Sequence, residues 1–236
     1  MGNNWFKFKQ FTVYQESAAM RVGTDGVLLG AWAQHPAPLR ILDIGSGTGV
    51  ISLMAAQRWS EARIDAIDPD IGAFEQSRSN FEQSPWGNRL TAHHVDLQQF
   101  DSAPYDLIIS NPPYFVNSLK NPDLIKSTAR HTDTLPHNEL VLHAARLLSD
   151  NGTFAVILPA DLRLNLLEIS KQNGLSLHRI AEIFDRQGRN PIRIMAEFKK
   201  SVSAEPINEK IYIRDVESND YTEQYKTLTK DFYLKF

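Results

Sequence analysis

Between Arg40 and Phe198 short aliphatic runs alternate with helical patterns, and this alternation constrains the fold more than any other feature of the chain. Arg40 to Ile44, Ala62 to Ile67, Leu90 to Val95, Tyr105 to Ser110 and Phe154 to Leu158 read as strands. Helices are expected over Val50 to Trp59 and Ile71 to Phe81, the second stopped near Ser84 and Pro85. After a long loop, Leu140, Val141, Ala144, Leu147 and Leu148 recur at helical spacing, and Leu162, Leu166 and Ile169 mark a further helix. Strands separated by helices pair in parallel, because a parallel neighbour needs a long crossover that a helix supplies. The spacing predicts an α/β fold with a doubly wound, mostly parallel, seven-stranded sheet. Leu175 to Phe184 and Ile192 to Phe198 are joined by a loop too short for a helix, so they are expected to form an antiparallel edge hairpin.

Residues 1–236 are expected to form a single domain with two appendages. Phe6, Phe8, Phe11 and Val13 alternate as in a small hairpin, giving an N-terminal extension over about 1–20, and a strand and helix are expected over about 207–236. Tyr221, Tyr225, Leu228 and Phe232 share one helical stripe, which reads as core packing.

Composition removes several functions. The chain has no cysteine, which excludes a disulfide framework, a thiolate zinc site and a cysteine nucleophile. The histidines show no metal-ligand spacing, so no metal is assigned. No apolar run reaches the roughly 18 residues of a membrane span, and MGNNWFKFKQ is not a signal peptide, so a cytoplasmic protein without membrane attachment is expected; separately, a monomer is expected. The formal charge is -3, but it is unevenly placed. Residues 41–110 hold ten acids against four bases, whereas 111–200 hold twelve bases against nine acids. Such a division suits a cationic ligand on one part and an anionic one on the other.

The first strand ends in Asp43-Ile44-Gly45-Ser46-Gly47-Thr48-Gly49. Glycines at alternate positions let the backbone turn sharply and approach a ligand with no side chain between. A dinucleotide fingerprint would place its third glycine where Val50 stands, which weakens a nicotinamide or flavin reading. The fourth strand runs directly into Asn111-Pro112-Pro113-Tyr114. Two prolines fix φ and remove two donors, leaving rigid carbonyl acceptors. An Asn side-chain oxygen and a proline carbonyl suit an exocyclic amine, and a tyrosine face suits a base stacked on it.

The glycine loop resembles motif I of the class I S-adenosylmethionine-dependent methyltransferases, and Asn111 to Tyr114 resembles motif IV of those that act on planar nitrogens. Val22 to Gly30, with Thr24 and Asp25, resembles the motif X that holds the methionine end of the cofactor. The resemblance implies a Rossmann-like sheet and S-adenosyl-L-methionine as cofactor, with Gly45, Gly47 and Gly49 cradling it and Asp43 opposing its positive charge. Asp68 would take the ribose hydroxyls, Asp96 the adenine amino group, and Asn111, Pro112, Pro113 and Tyr114 the acceptor nitrogen. Asp65, interior to its strand, reads as a surface charge. The missing cysteine agrees with transfer to nitrogen, since cytosine C5 methylation needs a thiolate.

VGTDGVLLGAW, LDIGSGTG, DLIISNPPY and YTEQYKTLTKDFYL together resemble the bacterial family that methylates N6 of adenine-37 in the anticodon loop of valine tRNA. Ribosomal RNA or DNA adenine N6-methyltransferases, protein glutamine N5-methyltransferases and an inactive RNA-binding methyltransferase-like module are the alternatives. About forty residues precede the glycine loop, too few for the helical recognition domain that glutamine enzymes carry. Lys7, Lys9, Arg186, Arg189 and Arg193 are candidate RNA contacts, beside Lys120, Lys126 and Arg130 after the catalytic loop.

Overall fold

The computed structural model describes residues 3–16, 20–113, 136–201 and 204–236. Strands β1 (Trp5–Lys7) and β2 (Thr12–Tyr14) form the small antiparallel pair expected of the alternating aromatics. The main sheet contains β3 (Arg40–Ile44), β4 (Arg63–Asp68), β5 (Leu90–His94) and β6 (Tyr105–Ser110). It continues with β7 (Leu148–Pro159), β8 (Ser176–Phe184), β9 (Arg193–Lys199) and β10 (Ile207–Tyr212). Their order is β10-β8-β9-β7-β6-β3-β4-β5. Only β9 runs against its neighbours β7 and β8; the other pairings are parallel.

The sheet therefore has eight strands where seven are expected, and the β8–β9 hairpin is interior because β10 pairs with β8 outside it. In INEKIY only Ile211 is buried, so this edge strand has a weak apolar signature. A further element, α1 (Thr24–Trp32), lies where the sequence pattern assigns neither helix nor strand. It is a helix because it lies on α2 (Val50–Arg58) so closely that a Cβ built on Gly30 would stand 2.8 Å from Met54 Sδ. Tertiary packing thus outweighs the roughly 1 kcal/mol that each helical glycine costs.

The remaining helices are α3 (Ile71–Glu82), α4 (His137–Leu147), α5 (Arg163–Gln172) and α6 (Glu223–Thr229). Strand alternation sends side chains to two cores. Ile41, Leu107, Ile109, Ala155 and Ile157 join α1, α2 and the terminal segments on one face. Leu42, Ile108, Phe154, Val156 and Leu158 join α4 and α5 on the other. Tyr225 and Phe232 are buried in the first core, as their stripe implied.

Candidate active site

Ile44 and Ser110 are register partners at the ends of β3 and β6, and Ser110 Oγ donates to the Ile44 carbonyl at 2.9 Å. The chain therefore leaves β3 into the glycine loop and leaves β6 into Asn111 at adjacent points. β4 lies beyond β3 and β7 beyond β6, so the two halves of the sheet diverge here. In open α/β sheets such a switch point is where ligands bind, outside the carboxyl ends of the strands.

Gly45, Gly47 and Gly49 have φ of 73°, 54° and 78°, the left-handed region that other residues enter only with strain. Their lack of side chains serves two ends. A Cβ on Gly45 or Gly47 would meet nothing within 4 Å, so that side of the loop is open to a ligand. A Cβ on Gly49 would lie 2.5 Å from Phe81 Cε1, so this glycine admits α3. The loop is pinned from β4: Gly45 and Ser46 donate their N–H groups to the Ile67 carbonyl, and Gly47 donates to Asp68 Oδ2 at 2.9 Å. Asp68 Oδ1 accepts from the Asp70 N–H, and burial raises the Asp68 carboxyl above its ordinary value against these donors.

Asp43 is 1% exposed and points toward α2, where Ser52 donates to its Oδ2 from both N–H and Oγ. Burial pushes its carboxyl up to about 7, with the Ser52 bonds acting in the opposite direction. Its Oδ1 and the buried Ser46 Oγ have no hydrogen-bond partner among the described residues. Asp96 lies exposed, two residues beyond β5, on a turn anchored by buried Leu97 and Phe100.

The first turn of α1 lies against Asn111: a Cβ built on Gly26 would be 3.7 Å from Asn111 Nδ2 and 3.5 Å from Val50 Cγ1. Motif X, the glycine loop and Asn111 thus converge. Pro112 is buried and Pro113 half-buried. Thr24 is exposed at the helix start, and Asp25 Oδ2 accepts from Arg193 Nε at 2.9 Å. Tyr114 lies outside the described residues, as do Lys120, Lys126 and Arg130.

The candidate RNA contacts are dispersed. Lys7 is exposed on the small sheet, but the Lys9 ammonium is engaged by the backbone oxygens of Lys230 and Phe236 at 2.5 and 2.6 Å, closing the N-terminal hairpin onto the C-terminal segment. Arg186 is held by Asp185 and Asn219, whereas Arg189 is exposed. Asp65 is not a surface charge: it accepts from Tyr105 Oη at 2.8 Å and lies 2.8 Å from His93 Nε2, with Arg40 at 3.7 Å. Burial opposes its ionisation, yet these partners together hold its carboxyl below the ordinary value.

Sequence reading passed over Asn80. Fully buried in α3, it accepts from the Tyr14 N–H and donates to the carbonyls of Tyr14 and Thr48, joining β2 to the glycine loop. Beside it, Gln76 accepts from the Glu16 N–H. The signal was present: Ala73, Gln76, Ser77, Asn80 and Phe81 form the inward stripe of α3, and polar residues at core spacing need partners.

An open α/β sheet with a glycine loop and an Asn-Pro-Pro segment side by side at its switch point is the architecture of the class I methyltransferases. Residues 22–172 match the profile of the methyltransferase small domain, and the chain belongs to that family. It is 47% identical over 235 residues to the tRNA1(Val) (adenine(37)-N6)-methyltransferase of Phocaeicola vulgatus, with 99% of each chain covered. It is 42% identical over 238 residues to the protein of the same name from Parabacteroides distasonis, covering 100% of both. Among solved structures it resembles a predicted O-methyltransferase from Agrobacterium tumefaciens, with TM-score 0.70, 17% identity, and 88% and 96% of the two chains covered, a likeness of fold. No helix is long and apolar enough to cross a membrane, and no group of three metal-ligating side chains occurs, both among the described residues.

Proposed function

We propose that this chain transfers the methyl group of S-adenosylmethionine to the exocyclic N6 of an adenine in tRNA, the relatives' names pointing to adenine-37 of tRNA1(Val). The observation that carries the reading is the adjacency of Asn111 and the glycine loop across the Ile44–Ser110 register pair.

The residues present fit the cofactor. Open space over Gly45 and Gly47 leaves room for its backbone-hugging portion, and the unpaired Asp43 Oδ1 suits a nearby positive charge. Gly45 and Gly47 would cradle it, Asp68 and Asp96 would meet its nucleoside hydroxyls and amino group, and Thr24 would stand at its amino-acid end. Gly49 contributes by admitting Phe81 behind the loop. When bound, S-adenosylmethionine supplies an electrophilic methyl group on a sulfonium.

An adenine amino group is a weak nucleophile because its lone pair is delocalised into the ring. The Asn111 amide oxygen and the Pro112 carbonyl would accept its two hydrogens, turning the lone pair toward the methyl. Proline at 112 and 113 fixes these acceptors before the base arrives, so orientation and charge placement supply the acceleration. Tyr114 would stack on the extruded base. The chain acts as one domain, with both terminal extensions packed on its first core.

Asn111→Ala should lower N6-methyladenosine formation in tRNA1(Val) by at least about 100-fold, the scale of a lost positioning contact. Its cofactor affinity should stay near that of wild type. Nucleoside mass spectrometry and calorimetry measure the two. Methylation by wild type of a protein glutamine or ribosomal RNA instead of tRNA would sink the substrate assignment, and no transfer to any of them would favour a binding module.

A further inference from the structure

We infer that Asp25 and Arg193 form a positioning pair for methyl transfer, a role that rests on the function proposed above. They are 168 residues apart in sequence, and their side chains are 24% and 29% exposed, too enclosed to be free surface charges. Each end of the pair is fixed to a different part of the active region. Asp25 sits in the first turn of α1, where a carboxylate also opposes the positive end of the helix dipole. The next residue, Gly26, brings that turn against Asn111 and Val50. Arg193 opens β9 between Pro159 of β7 and Ile183 of β8, and its Nη1 donates to the Ile192 carbonyl. Ile192 in turn accepts from Ala160 N–H and donates to Ile183 O. The bridge therefore ties the helix beside the acceptor-binding Asn111 to the start of the antiparallel strand and to the loop carrying Arg186 and Arg189.

A guanidinium committed through Nε to a carboxylate at 2.9 Å holds direction as well as distance. Loss of the bridge frees the first turn of α1 to shift relative to Asn111, while the pinning of the glycine loop by Ile67 and Asp68 is untouched. The consequence falls on the placement of the acceptor nitrogen.

The test compares wild type with Asp25→Asn, Arg193→Gln, the double variant and the reversed pair Asp25→Arg/Arg193→Asp. Each is assayed for single-turnover methylation of unmodified tRNA1(Val), for tRNA KM, for S-adenosylmethionine affinity and for melting temperature. Each single variant should slow transfer by about 10- to 100-fold, the scale of a small misplacement, with both affinities within about 3-fold of wild type. The double variant should be no slower than the worse single, and the reversed pair should recover part of the rate. An unchanged rate in Asp25→Asn, or additive losses, overturns the pair. Loss of cofactor affinity matching the rate loss makes Asp25 a cofactor ligand instead, and an Arg193→Gln effect confined to tRNA KM makes Arg193 an RNA contact. Wild type that leaves tRNA unmethylated overturns the functional reading and the role with it, whereas active wild type with unaffected variants overturns the pair alone.

Discussion

Asp68 Oδ2 accepts the Gly47 N–H at 2.9 Å, so the acid at the end of β4 holds the glycine loop of β3 in the conformation its positive φ angles require. One carboxylate thus supports the loop and, in the function proposed above, would also take the ribose hydroxyls of the cofactor. Asp68→Ala should weaken S-adenosylmethionine binding by about 10- to 100-fold, since hydrogen bonds to a charged acceptor contribute about 1.5–3 kcal/mol. The rate of the saturated complex should change much less. Calorimetry showing unchanged affinity would remove Asp68 from the binding site.

The Asp43 carboxyl, with an ordinary value of 3.8, is pushed to about 7 by burial. Between those values the folded chain holds a proton that the unfolded chain releases, so this group's contribution to stability falls as pH rises across the window. Above pH 7 the group is ionised in both states and its cost is constant. A bound cation draws the folded value down, so cofactor binding should release protons near pH 6.5 and tighten as pH rises toward 7. Calorimetry in two buffers of different ionisation enthalpy measures the release. Identical enthalpies in both would refute it, and Asp43→Asn should abolish any difference.

Arg179 and Glu197 form a buried pair, 5% and 2% exposed, joined at 3.1 Å and packed under Trp32. Burial raises the Glu197 carboxyl even though the Arg179 charge acts against it. Removing one partner leaves the other charge buried alone, which typically costs about 3–5 kcal/mol. Arg179→Met should therefore lower the urea midpoint sharply, and adding Glu197→Gln should recover part of the loss. A double variant less stable than Arg179→Met would contradict this account.

Arg189 is an exposed arginine of the β8–β9 loop, while Arg186 is held by Asp185 and Asn219. If the loop meets a phosphate through Arg189, Arg189→Ala should weaken tRNA binding and reduce the slope of log affinity against log salt by about 0.7–0.9. Filter binding across a salt series reads the slope. Equal slopes would take Arg189 out of the interface.

Local chemistry made much of this protein legible in its sequence. Aliphatic runs separated by helical periods made the mostly parallel pairing of the sheet readable, since a parallel neighbour needs a long crossover, and Gly45 to Gly49 and Asn111 to Pro113 announced themselves by backbone demands that few residues meet. Partnership across the fold was beyond sequence reading. That Asp25 meets an arginine at all depends on which strand lies opposite it 168 residues later. The same holds for Asp65 beneath His93 and Tyr105, for Lys9 closed onto the C-terminal segment, and for Asn80 bridging Tyr14 and Thr48. The helical state of α1 was likewise decided by Met54 filling the space that Gly30 leaves, because packing energy exceeds intrinsic propensity once two elements meet. Periodicity and backbone chemistry are properties of short segments, whereas hydrogen-bond satisfaction and burial belong to the assembled whole.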